Sequence, residues 1–87
     1  MDAERRRAKR HRLALPVRLK GATGTTRDMS TGGVFFETEK AHSVGDMIEL
    51  SVEVPDVAIE CKGRILRVES LIGKFGIAVE LTSYVFD

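Results

Sequence analysis

Residues 47–55 read MIELSVEVP, and every second side chain in this stretch is apolar. Ile48, Leu50, Val52 and Val54 fall on one side, and Met47, Glu49, Ser51 and Glu53 on the other. A period of two describes a strand with one face in a core and the other in water. Pro55 and Asp56 then supply a turn, after which Val57, Ile59 and Cys61 resume the alternation. Ile65, Leu66 and Val68 cannot all continue on that face, so the phase slips near Gly63, as it does at a β-bulge or a sharp barrel corner. Further on, Phe75, Ile77, Val79 and Leu81 alternate with Gly76, Ala78 and Glu80, joined to the preceding strand by a hairpin turn over 71–74 through Gly73. Upstream, residues 13–20 and 34–38 supply two more strands and 23–27 a short one. Six short strands predict an all-β fold, a six-stranded antiparallel β-barrel whose closure removes exposed edges. Only residues 2–12 have any helical option, and they hold too few apolar side chains to anchor a helix on the core.

The chain has 87 residues, 43% hydrophobic and 31% charged, which is the balance of one globular domain. A chain of this size buries about 60 to 65% of its unfolded surface, so the core is modest. No apolar stretch approaches the roughly 18 residues that cross a bilayer, and the N-terminus is charged where a secretion signal needs an apolar run. The expectation is a cytoplasmic protein without membrane insertion. Cys61 is the only cysteine, which excludes an intramolecular disulfide and suggests a small buried hydrophobe. His11 sits in a basic run and His42 in a polar loop, with no further ligands at metal-binding spacing. No serine, histidine and acid set suggests an oriented nucleophile, and Gly32-Gly33 lacks the downstream Gly-Lys-Ser or Gly-Lys-Thr of a P-loop. These absences point away from an enzyme, a metal or a cofactor and toward a binding module.

Net charge is only +1, but its distribution is uneven. Residues 1–20 carry eight basic against two acidic side chains, a local +6, while residues 21–87 carry six against eleven, a local −5. The chain therefore divides into a basic N-terminal arm, 1–12, and a barrel domain, 13–87. A basic block at one terminus is either a solvated tail or an arm that meets an anion.

Residues 27–33, RDMSTGG, admit two readings. Asp and Ser favour turns through side-chain to backbone bonds and glycine permits positive φ, so the stretch serves as a plain connection between strands. It also holds what a guanine nucleotide needs when combined with RRRAKR at 5–10. Arg6 and Arg10 are four apart and offer bidentate forks to phosphate or to the O6 and N7 edge of guanine. Asp28 can accept from guanine N1 and N2 hydrogens, Ser30 can bond a phosphate or base atom, and Gly33 lets backbone approach the ligand.

With RxxxR at 6–10 followed by LPVRL at 15–19, DxSxxG at 28–33, GGVFFET, CKGRILRVE at 61–69 and GKFGIAVEL at 73–81, the chain resembles a PilZ domain, the bacterial receptor for the second messenger cyclic di-GMP. The resemblance covers residues 5–81. It implies a six-stranded antiparallel barrel with a ligand-wrapping arm. It implies that Arg6 and Arg10 grip phosphate and guanine, that Asp28 and Ser30 read base and ribose-phosphate, and that Gly33 shapes the turn. Arg5 occupies a position that in similar domains bears on whether one cyclic di-GMP or a stacked pair is held. Such domains commonly continue into a C-terminal helix, whereas 82–87 leave room for one helical turn at most, with Tyr84, Val85 and Phe86 as a small apolar plug. A homodimer or a partner surface could complete the barrel mouth, and an effector protein or domain must receive the signal. The alternatives are a small basic barrel that binds nucleic acid, which its few exposed aromatics disfavour, and a PilZ-like interaction module that binds no nucleotide.

Overall fold

The computed structural model describes residue 12 and residues 14–86. Arg5, Arg6 and Arg10, with the rest of 1–11, lie outside the described residues, so the arm expected there is not placed. Six strands follow in chain order: β1 (Pro16–Leu19), β2 (Ala22–Met29), β3 (Gly33–Thr38), β4 (Met47–Val54), β5 (Val57–Leu71) and β6 (Lys74–Phe86). They close into an antiparallel barrel in the order β1-β2-β3-β6-β5-β4, with β1 returning to β4. No helix occurs among the described residues.

The alternation read at 47–54 is the one observed. Ile48, Leu50 and Val52 are buried, and Met47 and Glu49 face solvent. They join Val17, Leu19, Val34, Phe36, Cys61, Ile65, Ile77 and Val79 in a single core inside the barrel. Burial, reinforced by the nearby Glu60 carboxylate, pushes the Cys61 thiol up to about 11. Thr26 is fully buried, and its Oγ1 accepts from Leu15 N at 2.9 Å, so it enters the core without an unmet polar group.

Four expectations need correction. The strands are not all short: β5 runs for 15 residues and β6 for 13. Such lengths wrap a small barrel because bulges bend them, at Lys62/Gly63 and at Ile65/Arg67. The first puts its extra residue, Thr82, on β6 and leaves β5 in phase through Ile65, so the slip anticipated near Gly63 falls instead at Leu66, in the second. At Gly63 a Cβ would come within 2.3 Å of the Glu80 carbonyl oxygen, so only glycine lets the two backbones approach. Among the described residues the opening strand covers only Pro16–Leu19 of the expected 13–20, starting at a proline, which has no N–H for the ladder. Finally, Tyr84, Val85 and Phe86 form neither helical turn nor plug. They extend β6 along the first half of β5, Cys61 opposite Tyr84 and Ile59 opposite Phe86, because β5 there still has backbone groups to pair. All three are exposed, with the Tyr84 and Phe86 rings 6.1 Å apart.

Candidate functional site

Asp28 owes its direction to a bulge. Thr26 points inward, and in a regular strand the residue two further on would do the same. Thr26 pairs with Phe36 and Asp28 with Phe35, so Arg27 is an extra residue without a partner on β3. That insertion turns Asp28 to the outer face beside Phe35, while Met29, opposite Val34, returns inward.

The connection that follows is closed by a side chain. Ser30 N donates to Gly33 O at 2.9 Å, and Gly32 N donates to Ser30 Oγ at 3.3 Å. The positive φ expected of a glycine here is absent. Left-handed glycines occur at Gly21, Gly45 and Gly73, whereas the Ser30 hydroxyl does the closing work at this turn. Gly33 is a buried strand residue paired with Glu80, and Leu81 N donates to Gly32 O at 3.1 Å, which fastens the turn to β6.

The ladder continues the Asp28 row across the sheet. Asp28 lies beside Phe35, Phe35 beside Ala78, and Ala78 beside Arg67 on β5. Arg67 is outward for the same reason as Asp28: Ile65 pairs with Val79 and Arg67 with Ala78, so Leu66 is the unpaired extra residue. Two bulges on separate strands thus turn an acid and a base onto one row. Over that row lies an open groove of about 750 Å³ that includes Asp28, Ser30, Gly33, Phe35, Arg67 and Glu80 in its lining. Its size suits a small molecule.

The structure therefore brings Asp28, Ser30 and Gly33 together in one groove. Sequence reasoning missed Phe35, Arg67, Glu69 and Glu80. The phase conflict among Ile65, Leu66 and Val68 was the available signal for Arg67, but it was assigned to Gly63 alone. A second open groove of about 640 Å³ lies at the other end of β2 and β3, lined by Thr23, Thr25, Glu37, Lys40 and Lys74 among others. Three of its charges are engaged: Lys74 pairs with Glu37, and Lys40 Nζ donates to Lys20 O at 3.1 Å. Among the described residues no group of three or more histidine, cysteine or acidic side chains is placed to hold a metal ion. No helix among them is long and apolar enough to cross a membrane.

Asp28, Ser30 and Gly33 of DxSxxG thus stand together on the outer wall of a closed six-stranded antiparallel barrel. The PilZ domain model matches residues 4–84, nearly the whole chain, and the chain belongs to that family. No curated protein matches it.

Proposed function

We propose that the chain binds cyclic di-GMP, as one molecule or a stacked pair, in the groove containing Asp28, Ser30 and Gly33, and relays the signal to a partner protein or domain. The observation that carries this reading is the outward turn of Asp28 at the Arg27 bulge, which lets its carboxylate accept from a guanine N1–H and N2–H edge. Family membership supports the choice of ligand.

Charge says where the rest of the site comes from. The described groove residues include Asp28, Glu69 and Glu80 against Arg67, so a dianion needs further cations. Leu15 N donates to Thr26 Oγ1 and Thr26 N donates to Leu15 O, which carries the start of the barrel alongside β2 two residues from Asp28. Arg10 precedes Leu15 by five positions, at most roughly 17 Å of extended chain, so Arg6 and Arg10 are the candidates to grip phosphate and guanine, with Arg5 beside them.

Calorimetric titration with cyclic di-GMP tests this directly. Arg6→Ala and Arg10→Ala are each expected to weaken binding by roughly 1.5 to 3 kcal/mol with unchanged melting. Asp28→Ala is expected to lose most of the preference for cyclic di-GMP over cyclic di-AMP, which lacks the N2 amino donor. Unchanged affinity in both arginine variants would sink the assignment. A polynucleotide gripped by six arm charges would instead give a log-log salt slope of roughly −4 to −5.

A further inference from the structure

Arg67 stands on a built support. Phe35 is seated on Gly76, where a Cβ would come within 2.6 Å of the ring Cζ. The Arg67 guanidinium carbon lies over that ring, 5.8 Å from its centroid, and Nε donates to Glu69 Oε2 at 2.9 Å. Glycine backbone, phenyl ring and guanidinium thus form successive layers, with the carboxylate tethering the last. The Arg67 side chain remains 61% exposed, so the layer above it is open. An exposed ion pair between residues two apart on one strand adds little stability, so fold stability alone does not account for the arrangement.

We propose that Arg67 is a stacking platform of the groove, which holds a purine base of the ligand by its face while Asp28, beside Phe35, reads a base edge. The Arg67 side chain reaches back along the row to lie over Phe35, the register neighbour of Asp28, so the two end groups meet the same part of the groove. Stacking is the role left to Arg67, because Glu69 largely offsets its charge and Glu80 adds another carboxylate to the groove, whereas the guanidinium plane is unaffected. Planar guanidinium groups take base faces in this way, and a lysine ammonium does not. The inference rests on the cyclic di-GMP reading and adds to it a contact that does not involve the N-terminal arginines.

The test is titration of the full chain and of Arg67→Ala, Arg67→Lys and Arg67→Tyr with cyclic di-GMP and cyclic di-AMP, with melting curves for each. Stacking tolerates any base, so Arg67→Ala and Arg67→Lys are each expected to weaken both ligands about tenfold with their affinity ratio unchanged. Arg67→Tyr restores a flat surface without charge and is expected within about threefold of the parent. Melting temperatures are expected to stay within about 2 °C of the parent. Full affinity in Arg67→Ala, or in Arg67→Lys alone, overturns the platform, the latter in favour of a point charge. Equal losses in all three variants with lowered melting temperatures overturn it in favour of a structural role. If the parent binds cyclic di-GMP and Asp28→Ala weakens it while no Arg67 variant does, only this inference fails. If the parent binds no cyclic di-GMP, the functional reading falls and this one with it.

Discussion

Two neighbouring rows on the outer wall of the barrel use the same kinds of residue to opposite ends. In one, Thr25, Glu37, Gly76 and Glu69 lie side by side across β2, β3, β6 and β5. Here Glu37 is bonded by Lys74 and by Arg27, which hold its carboxyl below the usual 4.5. In the other row, Asp28, Phe35, Ala78 and Arg67, two bulges aim the charged ends into a groove. A surface rich in charge is therefore not a site by that fact. What separates the rows is that the Glu37 carboxylate is held by two cations at once, whereas Asp28 and Arg67, the latter tethered by Glu69 alone, line a groove around an aromatic ring.

The sharpest way to break this comparison is to remove residues. Leu66 is the unpaired residue of its bulge, so its deletion leaves Ile65 opposite Val79 and Arg67 opposite Ala78, faces unchanged. Deleting Ser51 from the regular β4 instead reverses the side chains on one flank of the cut, and the whole stability, about 5 to 15 kcal/mol, is expected to be lost. Urea unfolding of the two deletions measures this: a cooperative transition is expected for the Leu66 deletion and none for Ser51. If both unfold alike, the bulge assignment is wrong.

A smaller effect is expected from Gly63→Ala. The new methyl would meet the Glu80 carbonyl oxygen and Val79 Cγ1, at 2.3 and 2.6 Å, and backbone has little room to yield. A loss of about 3 kcal/mol follows, read from the shift of the urea midpoint.

Glu37→Gln tests the closed row, with about 1 kcal/mol lost at pH 7. Because the folded carboxyl is held below 4.5, its contribution is fully present above that value and disappears as pH falls through the lowered folded value. Thermal stability of parent and variant should therefore converge as pH falls through that lowered value. A gap that persists at low pH would mean that shape, not charge, matters there. The least change is expected at the regular wall, where Arg18 and Glu53 meet at 2.6 Å with 72% and 38% of their side chains exposed. Arg18→Ala should shift stability by less than about 0.5 kcal/mol.

These contrasts also mark what the sequence could disclose. β4 was legible because its period is unbroken, and the hairpins at Pro55-Asp56 and Gly73 because their turn residues are distinctive. The bulges at Arg27 and Leu66 were not. An extra residue is defined by the strand opposite, and nothing within TTRDM says that Asp28 leaves the face of Thr26. Likewise SYVF alternates well enough for a strand, but its partner, the first half of β5, is set by the fold and not by SYVF itself, so the sequence alone suggests an apolar plug there. Asp28, Ser30 and Gly33 were nameable from composition and resemblance, whereas the platform across from them depends on which residues four strands set abreast.

The order of the strands around the barrel has a kinetic consequence. Four of the six pairings join strands adjacent in sequence, while β3 with β6 and β1 with β4 close the cylinder between distant parts of the chain. Loop-closure entropy delays such contacts, so the hairpins form early and these two seams late. Asp28 and Arg67 stand on opposite sides of the β3–β6 seam, which means that the groove comes into being only as the last contacts are made. A ligand held by both would act as a clasp on that seam. At a hundredfold excess over Kd it would add about 2.7 kcal/mol, and the gain would fall on the unfolding limb of the chevron, leaving the refolding rate as it was.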